Sequence, residues 1–93
     1  MAIHNFRNLK IWQDGVEFVI HNYSITKTFP EFEKFNLISQ MNSCAVSIPS
    51  NIAEGSAKST DKHFKTYLET GLGSAYEWET QFTVALKLNY VDQ

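Results

Sequence analysis

The stretch Ser47-Ile48-Pro49-Ser50-Asn51-Ile52-Ala53-Glu54-Gly55 carries a proline and, six residues on, a glycine, near the end of a run with helical periodicity. Reading back from it, the apolar positions are Leu37 or Ile38, Met41, Cys44 or Ala45, Ile48 and Ile52. Recurrence every three or four residues predicts one amphipathic helix from about Leu37 to Glu54. Asn36 is placed to cap its start. Pro49 removes one backbone bond inside the helix and predicts a kink. Gly55 predicts closure in the left-handed C-terminal conformation.

Upstream, Leu9, Trp12, Val16, Val19 and Tyr23 mark a second helix from about Asn8 to Phe29, with Asn8 as its cap. Lys10, Gln13, Asp14, Glu17 and Asn22 fall largely off that face. Gly15 lies beside the stripe and costs about 1 kcal/mol relative to Ala in a helix, so it reads as a close packing point. Phe29, placed before Pro30, is pushed out of helical geometry. Pro30-Glu31-Phe32-Glu33 reads as a single helical turn with carboxylates near its positive end. Downstream, Ser56 to Thr60 is a polar turn, and Ser59 or Thr60 can cap a third helix running to about Tyr90. Its stripe is Phe64, Tyr67, Leu68, Gly71, Ala75, Trp78, Phe82, Ala85, Leu86 and Asn89, with small residues clustered at Gly71, Gly73, Ser74 and Ala75. No segment alternates with period two between turn signals, so no sheet is expected. Three long helices with short connections predict an all-α, up-down antiparallel bundle forming a single domain over 1–93. Three broad apolar stripes leave a groove open, to be filled by another chain or by a further C-terminal helix.

Composition agrees with a folded domain: 43% hydrophobic, 19% charged and 14% aromatic, the rings supplying the burial that a 93-residue chain needs. The single cysteine excludes an intrachain disulfide. No apolar run approaches a membrane span and the first ten residues lack a signal-peptide layout, so a cytoplasmic location is expected. A net charge of −2 argues against a general nucleic-acid or membrane binder.

No chemistry converges. Cys44 reads as a small buried thiol, with His4, His21 and His63 in the lead-in or on outer helix faces. No acidic residue precedes a His at the Glu-x-x-His spacing of di-iron bundles, and Glu17 with His21 is too few ligands for a metal. Gly71-Leu72-Gly73 lacks the Lys-Ser/Thr of a phosphate loop. No enzyme activity and no cofactor are expected. Lys58, Lys62 and Lys65 cluster at the start of the third helix and are the weak candidates for phosphate contacts. Asn51 and Glu54, one turn apart, are expected to form a polar cluster with Glu77 that fixes helix register or a subunit contact. Gln40 and Ser74 project nearby.

The sequence resembles the four-helix-bundle proteins first noted as open reading frames in 23S rRNA intervening sequences, which are related to accessory proteins of diversity-generating retroelements. The matching residues are Phe6-Arg7-Asn8-Leu9-Lys10-Ile11-Trp12-Gln13, Phe29-Pro30 with Glu33, Leu37, Gln40, Ser47-Ile48, Asn51-Ile52-Ala53-Glu54-Gly55, Phe64, Tyr67-Leu68 and Gly73-Ser74 with Glu77. The resemblance implies a ring-like homo-oligomer, a pentamer, with no known activity in most members. The retroelement branch is similar to a basic nucleic-acid-binding barrel that contacts a reverse transcriptase, which supplies an alternative reading. Two departures stand out. Arginine usually follows the Gln40 position, and here the stretch reads Met41-Asn42-Ser43-Cys44. Members usually continue into a fourth helix, so this chain is expected to be C-terminally incomplete.

Overall fold

The three helical stripes become three helices: α1 (Lys10–Thr26), α2 (Leu37–Ser56) and α3 (Asp61–Lys87). The computed structural model describes residues 5–92, and no strand occurs among them. The chain is therefore an all-α bundle.

The helix ends differ from the sequence reading in instructive ways. Asn8 does not cap α1. It lies in a single 3-10 turn, Phe6–Asn8, capped instead by Asn5, whose side chain accepts from the Arg7 amide at 3.2 Å. Leu9 is the extended residue before α1 and has no capping side chain. The helix stops at Thr26, short of Phe29, because the Thr28 and Phe29 amides fold back onto the Ile25 and Thr26 carbonyls. Pro30 then opens the 3-10 turn Glu31–Glu33. Asn36 precedes α2 without a side-chain bond, and a carboxylate oxygen of Glu33 accepts from the first amide of the helix, Leu37, at 3.4 Å. At α3 the hydroxyl of Thr60 caps the His63 amide at 3.2 Å. The helix closes at Lys87, not near Tyr90. Asn89 takes the left-handed conformation (φ 62°), and the Asn89 and Tyr90 amides bond back to the Leu86 and Ala85 carbonyls. This is the paired closure usual at a helix C-terminus, with asparagine in place of glycine.

Gly55 is not such a closure. It stays helical, with no positive φ, and a methyl group there would sit 2.7 Å from Tyr67 Cβ and 2.9 Å from Phe64 Cδ1. Glycine is needed because α3 crosses α2 at that point. Gly15 has the same role on the other side. A methyl there would lie 3.2 Å from Cβ of Pro49, which is buried in α2. The two unfavourable helix residues thus answer each other: the proline ring fills the space that the glycine leaves. Of the small-residue cluster in α3, Gly71 faces α2 near Asn51, whereas a methyl on Gly73 would meet nothing within 4 Å.

Gly15 meets Pro49 and Asn22 meets Asn42, while Gln40 meets Gln81, Ser47 meets Ser74 and Gly55 meets Tyr67. Numbers fall along one helix as they rise along its neighbour, so both helix pairs run antiparallel. α2 is central, and no Cα of α1 comes within 8 Å of one in α3. The outer helices communicate through long side chains, with Phe18 edge-on to Trp78 at 4.7 Å. The apolar core gathers at the end where Phe29, Met41 and Ala85 meet, surrounded by Ile25, Leu37, Ile38, Trp78, Phe82, Tyr90 and Val91.

The result is long and thin: 48 × 23 × 20 Å, with a radius of gyration of 14.8 Å against about 12 Å for a compact domain of this length. Only six apolar residues are buried among those described (Phe29, Met41, Cys44, Ala45, Ile52 and Ala85). Ten large apolar residues are exposed, among them Ile11, Ile20, Phe35 and Leu72.

Candidate functional site

Two faces of the bundle are incomplete. The first is the polar seam between α2 and α3. Asn51 Nδ2 donates to the carbonyl and the hydroxyl of Ser47 (2.8 and 2.9 Å), and that hydroxyl pairs with the Ser74 hydroxyl at 2.9 Å. About two turns along, Gln81 Nε2 donates weakly to Gln40 Oε1 at 3.4 Å. Between these pairs lies a cleft of about 350 Å³ lined by Ser39, Gln40, Ser43, Cys44, Ser47, Ser74 and Glu77. The Cys44 thiol at its wall is pushed above its usual pKa, first by burial and then by a hydrogen bond to Glu77 and by the charge of that carboxylate; Gln81 opposes the shift. Gln81 Oε1 is the one buried side-chain polar atom without a partner among the described residues.

Of the residues singled out from sequence, Gln40, Ser74 and Glu77 line this cleft, and Asn51 joins it through Ser47. Glu54 does not. It is exposed, and its side chain has no partner among the described residues. The basic trio is also divided. The ammonium of Lys58 lies 4.9 Å above the Tyr67 ring, while Lys62 and Lys65 are exposed.

The second face is an apolar trough between α1 and α3, floored by α2. One part, about 340 Å³, is lined by Ile11, Asp14, Gly15, Phe18, Ile48, Ile52 and Ala75. The adjoining part, about 210 Å³, shares Ile11, Ile48, Ile52 and Ala75 and adds Leu68, Gly71 and Leu72. It exists because α1 and α3 each pack on α2, and no Cα of one comes within 8 Å of the other.

A third feature escaped the sequence reading. Asn22, placed off the apolar face, is fully buried, as is Thr26, whereas Tyr23, assigned to that face, is 46% exposed. Asn22 Nδ2 and Thr26 Oγ1 both donate to Asn42 Oδ1 (2.7 and 3.0 Å), and Trp78 Nε1 donates to Asn22 Oδ1 at 2.7 Å. The network ties all three helices together. Gly15, Asn22 and Thr26 do share one helical stripe, but a search for apolar residues passes over it. Gln81 was missed for the same reason: it lies between Trp78 and Ala85 on the stripe of α3.

No group of three or more His, Cys, Asp or Glu placed to hold a metal occurs among the described residues. No helix is long and apolar enough to cross a membrane. Fold and faces define the class as an all-α helical bundle with an open apolar trough and a polar interhelical cleft. The chain belongs to the 23S rRNA-intervening sequence protein family, whose profile matches residues 7–93. That family description names no catalytic activity. A comparison with curated proteins finds no match.

Proposed function

We propose that the chain is a non-enzymatic module that acts by associating with further copies of itself, as a closed homo-oligomer of the five-fold kind that the family resemblance implies. The observation that carries this reading is the apolar trough from Ile11 to Leu72, left uncovered beside a core of six buried apolar residues. Each Å² of apolar surface withdrawn from water contributes about 25 cal/mol, so covering the trough favours assembly. An obligate assembly of this kind needs no reactive group, in keeping with the raised pKa of the buried Cys44 thiol.

The test is the mass in solution, by sedimentation velocity and native mass spectrometry over a wide concentration range. Multiples of the 10.7 kDa protomer are expected. A monomer at every concentration overturns the proposal. The same samples, titrated with RNA and DNA at low salt, address the alternative of a nucleic-acid-binding accessory protein. Phosphate contacts release counterions and weaken steeply with salt. With a net charge of −2 and Lys58 turned onto Tyr67, no such binding is expected.

A further inference from the structure

The α2–α3 cleft carries a carboxylate without a counterion. Glu77 is exposed at its rim and forms no ion pair; the salt bridge found among the described residues joins Lys10 to Asp14 at 2.7 Å. Around it are acceptors and adaptable hydroxyls: the Gln40 carbonyl, Ser43, Ser47 and Ser74. Gln81, whose amide reaches Gln40, carries the unpartnered Oε1. No lysine or arginine lines the cleft. Such a site calls for a cation with several donors in a plane.

The same molecule displays one. Arg7, the single arginine of the chain, is exposed on the 3-10 turn before α1. Its guanidinium lies 4.4 Å above the Phe6 ring and has no carboxylate partner among the described residues. Phe6 is itself held edge-on to Trp12 at 5.2 Å. The fork is therefore oriented before it meets any partner, which lowers the entropy lost on binding. The lysines are poorer candidates. Lys10 is already paired, and an ammonium cannot pair with a carboxylate in the two-pronged manner of a guanidinium. Arginine is enriched and lysine depleted at protein interfaces.

We propose that Arg7 of one copy enters the Glu77 cleft of the next. The occupant is a second copy of this chain, and the contact completes a site that one copy leaves half made. Made reciprocally, the contact closes a two-fold dimer; made head-to-tail, as the five-fold reading requires, it closes a ring. This inference rests on the self-association reading and specifies one of its contacts.

The test is charge exchange on the full chain, read by sedimentation velocity across concentration. Wild type, Arg7→Glu, Glu77→Arg and the double variant are compared, with far-UV circular dichroism confirming equal helicity, since both side chains are exposed. Each single reversal is expected to raise the association midpoint at least about tenfold, the lower end for close interfacial charge pairs. The double variant is expected to recover most of that loss. A wild type that associates while the single variants associate equally well overturns this contact and leaves the self-association reading standing. So does a double variant no better than the worse single. A wild type that remains monomeric removes both.

Discussion

Replacing Asn42 by Ala tests whether the buried polar network holds the three helices together. Asn42 Oδ1 accepts from Asn22 Nδ2 and Thr26 Oγ1, on side chains with 0% and 1% exposure. Alanine leaves both donors without an acceptor. A buried donor left unsatisfied costs about 1–3 kcal/mol, so the sum is about 2–6 kcal/mol. Asn42 itself is half-buried, so water can reach part of the gap and holds the loss near the lower half, about 2–4 kcal/mol. A domain of this size is stabilised by roughly 5–14 kcal/mol in all, so the effect is large. In urea the midpoint falls while the slope stays constant, and in a thermal scan each kcal/mol lowers Tm by about 4–8 °C. Thr26→Val, which removes one of the two donors, is expected to cost less. Ser50→Ala, at an exposed position of α2, serves as the control. An Asn42→Ala protein as stable as the Ser50→Ala control refutes the reasoning, because the network would then contribute nothing net.

The two glycines of opposite environment give a paired prediction. Gly55→Ala forces a methyl to 2.7 Å from Tyr67 Cβ and is expected to destabilise by about 1–3 kcal/mol despite better helix propensity, whereas Gly73→Ala meets nothing within 4 Å and gains up to about 1 kcal/mol, both read by urea unfolding. Tyr90 donates to Glu33 Oε2 at 2.7 Å, and that bond, then burial and the Glu33 charge, raise its phenol pKa above the usual 10. A raised folded-state pKa adds stability that is complete below about pH 10 and is lost as pH climbs through the higher folded value. Stability measured up the alkaline range should show this loss in wild type and lack it in Tyr90→Phe. Cys44, 7% exposed and with its pKa raised by burial and by Glu77, should react with a disulfide reagent at neutral pH far more slowly than in the urea-unfolded chain. Equal rates would contradict that placement.

Helix type and number were legible because period-3.6 burial leaves its mark on the apolar residues of each segment, and Thr60 and Pro30 mark boundaries by local chemistry alone. Helix ends were less so. The roles of Asn8, Asn36 and Gly55 depend on whether a neighbouring segment supplies the hydrogen bond or the obstruction first: Asn5 and Glu33 supply the bonds, and Tyr67 the obstruction. The candidate site was partly legible. Ser74 and Glu77, three residues apart on α3, share a helix face that sequence spacing defines, and they meet Gln40 of α2 at one cleft. Glu54 lies on the stripe of Gln40 and Ser47 but stays exposed, because spacing fixes the face of a side chain and not whether the neighbouring helix offers it a partner.

By itself, the sequence determined three amphipathic helices and, at Gly15, a close packing point. Tertiary structure decided the rest. That α1 and α3 both pack on α2 and leave a trough between them is a matter of relative helix placement. So is the burial of Asn22 and Thr26, and the isolation of Glu77 in a cleft without a counterion. Local periodicity records how often a face is buried. Only the packed neighbours record what it is buried against, and that determines whether a polar side chain is a lock, a site or a solvated residue.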